Sequence, residues 1–128
     1  MAFKVKVIEK GKPGVAGGGP KKFYLQIVYD GEATMDDIVK EVEKFSSLSE
    51  PDIRGVIIAI ENIIQDKLAQ GKIIRLERLG TFYPSISSKG ETNASDLSVS
   101  SIKKVNVNYR PGDRIKKALK DASITKVS

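Results

Sequence analysis

The 128-residue chain contains no cysteine and no histidine. Disulfides and thiolate chemistry are thereby excluded, which fits a reducing compartment. The usual general bases, paired nucleophiles and transition-metal ligands are also missing, so only carboxylates, lysines and hydroxyls are left as candidate catalysts. The one dense group of carboxylates, Asp36, Asp37, Glu41 and Glu43, falls in a predicted helix, where it complements the helix dipole and meets solvent. No catalytic residue, metal ligand or cofactor is therefore expected. Long apolar runs are absent too. The opening MAFKVKVIEKGKPG alternates lysine with apolar residues in place of a signal-peptide core, and no stretch approaches a membrane span. A soluble cytoplasmic protein is expected, with no membrane partner and no small-molecule substrate.

What is present is charge, unevenly placed. Residues 1–30 carry six lysines against two acids, a net +4; residues 31–102 carry eight basic against twelve acidic residues, −4; residues 103–128 carry eight against two, +6. Two basic ends around an acidic middle suggest a polyanion-facing surface backed by an ordinary solvated one.

The apolar periodicity gives the elements. Phe3, Val5 and Val7 alternate with lysines, and Phe23, Leu25, Ile27 and Tyr29 repeat the pattern, so two strands with those residues inward are expected as a hairpin. The connecting GKPGVAGGGP is too rich in glycine and proline for regular structure. Its Gly19-Pro20-Lys21-Lys22 lacks the Gly-Lys-Ser/Thr ending of a phosphate loop and does not lead into a helix, which speaks against a nucleotide site. Thr34, with Asp37 three residues on, opens a first helix on which Ile38, Val42 and Phe45 recur at helical spacing. Ser49, Glu50, Pro51 and Asp52 start a second that runs to about Gln70, with Gly71 ending it. Its Ile53, Val56, Ile57, Ile58, Ala59, Ile60, Ile63, Ile64 and Leu68 form a stripe too wide for one buried face. The sheet on one side and a second copy of the chain on the other would cover it, predicting a homodimer. The alternative is a monomer in which the N-terminal strands cover the second face.

From Lys72 to Pro84, KIIRLERLGTFYP reads as a strand broken at Gly80, where the chain must bend or another backbone must approach closely. Ser85 to Ser101 is a small, polar excursion with a turn expected at Lys89–Asn93. Val105, Val107 and Tyr109 then alternate with Asn106, Asn108 and Arg110, stop at Pro111-Gly112, and lead into a basic helix on which Ile115, Ala118, Leu119 and Ala122 are expected to dock.

These motifs resemble the HU/IHF family of bacterial DNA-bending proteins. The resemblance rests on two helices, Leu79-Gly80-Thr81-Phe82 where that family has Gly-Phe-Gly-Thr-Phe, an arm-length insert, and Tyr109-Arg110-Pro111-Gly112 stepping into a final helix with Lys120-Asp121-Ala122. Residues 1–30 depart from plain HU proteins and resemble the extension of some HU-related proteins of the Bacteroides group. The resemblance implies an α+β, HU-like fold: two N-terminal helices (34–70), an antiparallel sheet with an extended β-arm (72–110) and a short C-terminal helix (112–123), here with extra N-terminal strands, all as one domain. It also implies a nucleoid protein that binds double-stranded DNA as a homodimer. One family feature is missing. The arm holds no Arg-Asn-Pro, whose proline wedges between base pairs, and its Lys89 is outnumbered by Glu91 and Asp96.

Phosphate contact is accordingly expected from Arg75, Arg78, Lys89, Lys103, Lys104, Arg110, Arg114, Lys117 and Lys120, with Arg114, Lys117 and Lys120 crowding one side of the last helix. A second function class stays open: an HU-fold protein-interaction or structural module that has lost its arm tip.

Overall fold

A computed structural model describes residues 1–11, 14 and 16–127. The α+β class is confirmed, with nine elements: β1 (Ala2–Lys10), β2 (Lys22–Val28), α1 (Met35–Phe45), α2 (Glu50–Ala69), β3 (Ile74–Arg75), β4 (Gly80–Ser88), β5 (Ile102–Pro111), α3 (Asp113–Asp121) and β6 (Ser123–Lys126). They group into two compact units, residues 1–35 with 118–128 and residues 36–117.

The first unit is a three-stranded sheet in the order β2-β1-β6. The expected hairpin is present, β1 and β2 pairing antiparallel from Lys4↔Val28 to Lys10↔Lys22. Strand β6 was not foreseen. It runs parallel to β1, with Ala2 opposite Ser123 and Val5 opposite Lys126. Because partners across a ladder share a face, Phe3, Val5, Val7, Phe23, Leu25, Ile27 and Ile124 lie together. The expectation that β2 turns its apolar residues inward is corrected, since Phe23 is 71% and Leu25 63% exposed. The alternation is real, but that face stays exposed on β2 and at Val7 of β1. Of the glycine-rich connection, Ala16–Gly18 form a single 3-10 turn, and the positions at 12, 13 and 15 lie outside the described residues.

In the second unit α2 starts as its sequence dictates. Ser49 Oγ accepts from the Asp52 amide and donates to the Asp52 carboxylate at 2.8 Å, with Pro51 in the first turn. It ends where Gly71 takes φ +79° and the Lys72 amide reaches the Lys67 carbonyl at 3.1 Å. An ion pair from Arg54 to Asp36 ties α1 to α2. The core is small. Val39 of α1 and Ile53 of α2 are the only buried hydrophobic side chains among the described residues. Val39 is therefore the residue that seats α1, while Ile38, Val42 and Phe45, on the stripe read from the sequence, remain exposed. On α2, Ile53, Ile57, Ile64 and Leu68 turn inward and Val56, Ile58, Ile60 and Ile63 stay in solvent. The stripe is thus split, as its width requires.

The second sheet has the order β3-β4-β5. The continuous strand expected over 72–84 is corrected: β3 spans only Ile74–Arg75, and a 3-10 turn at Glu77–Leu79 precedes β4. Glu77 takes φ +52° there, and the Leu76 amide donates to the Gly80 carbonyl at 2.8 Å, closing a tight reversal that alternation cannot signal. Beyond the two residues paired with β3, β4 and β5 continue as a two-stranded ribbon from Tyr83↔Asn108 to Ser88↔Ile102. Pairing of β4 with β5 stops at Ser88↔Ile102, and the connection folds into two 3-10 turns, Ala94–Asp96 and Val99–Ser101. The reason is local hydrogen bonding by its serines. Ser98 and Ser101 cap each other reciprocally, and the Lys89 amide is held by the Ser101 carbonyl at 2.8 Å. On α3, Ala118 and Leu119 are exposed, Leu119 to 61%, against the docking expected of them, while Ile115 and, just past the helix, Ala122 are half-buried.

Candidate nucleic-acid interface

The register of β3-β4-β5 sorts its side chains into two opposite faces. Ile74↔Phe82↔Tyr109, Pro84↔Val107 and Ile86↔Val105 make one apolar face, with the Phe82 and Tyr109 rings 5.1 Å apart. The other face carries Arg75↔Thr81↔Arg110, Tyr83↔Asn108, Ser85↔Asn106 and Ser87↔Lys104. It is polar throughout, and none of these residues is acidic. Arg75 and Arg110 stand two strand spacings apart, about 10 Å, and Lys104 lies six residues along β5 from Arg110, about 20 Å.

Two glycines hold the arginine end in place. Gly80, at φ +126°, is buried where a Cβ would meet the Arg110 carbonyl oxygen, the Tyr109 ring and Pro111 Cα. Here is the close backbone approach the sequence called for. Gly112 similarly lies where a Cβ would overlap the Arg78 carbonyl. The Tyr109 hydroxyl donates to the Leu79 carbonyl at 2.5 Å, fastening β5 to the 3-10 turn. Rigid backbone therefore sets the position of Arg110, whose guanidinium lies 5.2 Å over the Tyr83 ring. The Tyr83 phenol is held below its ordinary pKa, first by its hydrogen bond with Asn108 and then by Arg110.

Residues 1–126 match the family described as an HU domain fused to wHTH, Ig, or glycine-rich motif. The chain belongs to this HU family. No curated protein matches. A solved structure from Bacteroides vulgatus ATCC 8482, described as that of a candidate bacterial DNA-binding protein, has the same fold, with a TM-score of 0.70 at 12% identity. The alignment covers 98% of this HU chain and 48% of that one, so this chain spans about half the length of its neighbour.

The HU fold brings only some of the predicted basic residues together. Arg75, Lys104 and Arg110 share the polar face. Lys103 is the extra residue where the register slips between Ser87 and Ser88, so it leaves that alternation. Arg78 sits exposed in the 3-10 turn, and Lys89 pairs with Glu91 at 3.8 Å, countering its charge. Arg114, Lys117 and Lys120 lie exposed along α3 at the expected spacing. Sequence reasoning singled out the cations but missed Tyr83, Asn106 and Asn108. The signal was available in the Val/Asn alternation of β5, which puts both amides on the side of Lys104 and Arg110. Among the described residues no group of three acids is arranged to hold a metal ion, and no helix is long and apolar enough to cross a membrane.

Proposed function

We propose that this HU domain binds double-stranded DNA with little sequence preference, as a homodimer, through phosphate contacts from the polar face of β3-β4-β5 and from α3. The observation that carries the reading is the all-polar, acid-free face holding Arg75, Lys104 and Arg110. Arginine forks onto phosphate oxygens and lysine supplies a mobile charge, while Asn106, Asn108 and the Ser85 and Ser87 hydroxyls add neutral donors. Binding then draws its free energy from counterion release, with duplex shape and flexibility setting preference. The missing Arg-Asn-Pro and the folded-back connection after Ser88 remove the wedge, so distortion by intercalation is not part of this mechanism. A cytoplasmic, nucleoid location follows from that partner.

Surface area supports the homodimer. The chain exposes 10806 Å², whereas a globule of its 14.0 kDa would expose about 6,700 Å². Two separate globules of the sizes of its two units would still expose only about 8,000 Å². The surplus, above about 2,500 Å², is on the scale of what each subunit of an obligate dimer buries. It is also apolar in character, including Val56, Ile60 and Ile63 of α2 and Val105 and Val107 of β5.

The deciding experiment is a salt titration of duplex binding. Each phosphate contact adds about 0.9 to the log–log slope, so changing Arg75, Lys104 and Arg110 together to glutamine is expected to lower the slope by about 2.7 for each subunit that contacts the duplex. An unchanged slope refutes the assignment of this face. A second reading, an HU-fold interaction module, is favoured by the uncovered apolar face of β1-β2; it predicts that the same triple variant keeps its protein partners and that the parent chain is not retained on DNA.

A further inference from the structure

The other face of the N-terminal sheet gathers four lysines of β1 and β2. Lys4, Lys6, Ile8 and Lys10 alternate out of β1 on that face, and the register places Val28, Gln26, Tyr24 and Lys22 beside them in turn. Ser123 and Thr125 join from β6. All four lysines are exposed, and none makes an ion pair among the described residues. The only acid in the two paired strands, Glu9, lies on the opposite, apolar face opposite Phe23.

An ordinary solvated sheet face interleaves charges of both signs, because opposed like charges destabilise the ladder. Here Lys10 stands directly opposite Lys22, with no carboxylate on the face to offset the repulsion. Such a surface gains most from an extended anion. From Lys4 to Lys10 the strand rises about 20 Å at about 3.3 Å per residue, while a DNA strand presents a phosphate about every 3.4 Å of axis. The four amines can therefore each meet a different phosphate. Tyr24, Gln26, Ile8 and Lys10 also border a shallow depression of about 360 Å³.

We infer that the Lys4, Lys6, Lys10 and Lys22 face of β1-β2 is a second DNA-contacting surface, separate in sequence and in sheet from the Arg75–Arg110 face. The choice of DNA as the polyanion rests on the function proposed above. Lysine offers no bidentate fork, so this surface adds affinity and salt dependence without base readout.

The test changes Lys4, Lys6, Lys10 and Lys22 to glutamine in the full chain and measures duplex affinity by fluorescence anisotropy across a salt series. The slope is expected to fall by about 2 to 3.6 for each subunit that contacts the duplex, at about 0.9 per lost contact. The melting temperature should stay at or above that of the parent, since a like-charge pair has been removed. If the slope is unchanged here but falls in the Arg75, Lys104, Arg110 variant, this inference is overturned and the function stands; the lysine face then serves another acidic partner, such as a protein. If only the lysine variant lowers the slope, the inference holds and the β3-β4-β5 assignment fails. A parent chain whose duplex binding shows no salt dependence overturns both.

Discussion

Gly80 is the position where the fold is least able to accept a side chain, and its replacement by alanine has a calculable cost. Its φ of +126° and ψ of −165° lie in a region open essentially to glycine alone, which costs other residues about 1–3 kcal/mol. The added Cβ would also overlap the Arg110 carbonyl and press on the Tyr109 ring and Pro111 Cα. These atoms belong to β5 and to a ring held at both ends by Phe82 and the Leu79 carbonyl, so relief requires a backbone shift, at about 1–3 kcal/mol for overpacking. Gly80→Ala is therefore expected to destabilise by about 2–6 kcal/mol, a large share of an ordinary domain's stability. Two companions calibrate the number. Gly71 has φ +79° but open space around its Cβ position, so Gly71→Ala should cost only about 1–2 kcal/mol. Gly55 lies inside α2 with nothing within 4 Å, so Gly55→Ala should stabilise by about 0.5–1 kcal/mol. Urea denaturation at one fixed chain concentration measures all three, since association would make stability concentration-dependent. A Gly80→Ala chain no less stable than Gly71→Ala would refute the claim that strand β5 is clamped at this point.

Replacing Val56 and Ile63 by glutamate puts charge on the exposed stripe of α2; light scattering should then show the mass falling from roughly 28 kDa to the 14.0 kDa of one chain, and a parent already at the lower mass would refute the dimer. Tyr109→Phe removes the hydroxyl bonded to the Leu79 carbonyl and is expected to cost about 0.5–1.5 kcal/mol in the same urea assay. Tyr83, followed by NMR of a ring-labelled chain, should ionise below its ordinary value of 10.0, with Asn108→Ala moving the midpoint up further than Arg110→Gln. Because the folded pKa is the lower one, the associated stabilisation is present above the unfolded value and is lost as pH falls through the folded value. A midpoint that ignores both changes would show that neither Asn108 nor Arg110 acts on the Tyr83 phenol.

Local chemistry was legible in the residues. Ser49-Glu50-Pro51-Asp52 and Gly71 bound α2 because capping and left-handed termination involve neighbours in sequence. The Val/Asn alternation of β5 could be read for the same reason, and Gly80 by its break in a strand pattern, although the atoms that crowd it come from Tyr109–Pro111. Strand β6 escaped notice because four residues, Ser123–Lys126, acquire strand character only by pairing with β1 at the far end of the chain. The 3-10 turns after Ser88 were not legible, because the polar excursion gave only a turn signal while Ser98 and Ser101 supply local bonds of their own.

Burial was the least legible property, and the reason bears on function. Apolar alternation in β2 and the α2 stripe identify which residues share a face, but whether a face is covered depends on surfaces outside the element. Within one chain, few of them are covered: among the described residues Val39 and Ile53 are the only fully buried hydrophobic side chains, although 40% of the sequence is hydrophobic. Each isoleucine left in water forgoes about 1.5–3 kcal/mol of burial, so an isolated chain built this way would be only marginally stable. The same pattern that leaves apolar faces open separates them from cationic ones, on β1-β2 and again on β4-β5. Association through the apolar faces would consume the surplus area while leaving the lysine and arginine faces in solvent. Under that arrangement glutamine substitutions on the cationic faces should change DNA affinity without changing solution mass, and glutamate substitutions on α2 should change mass first.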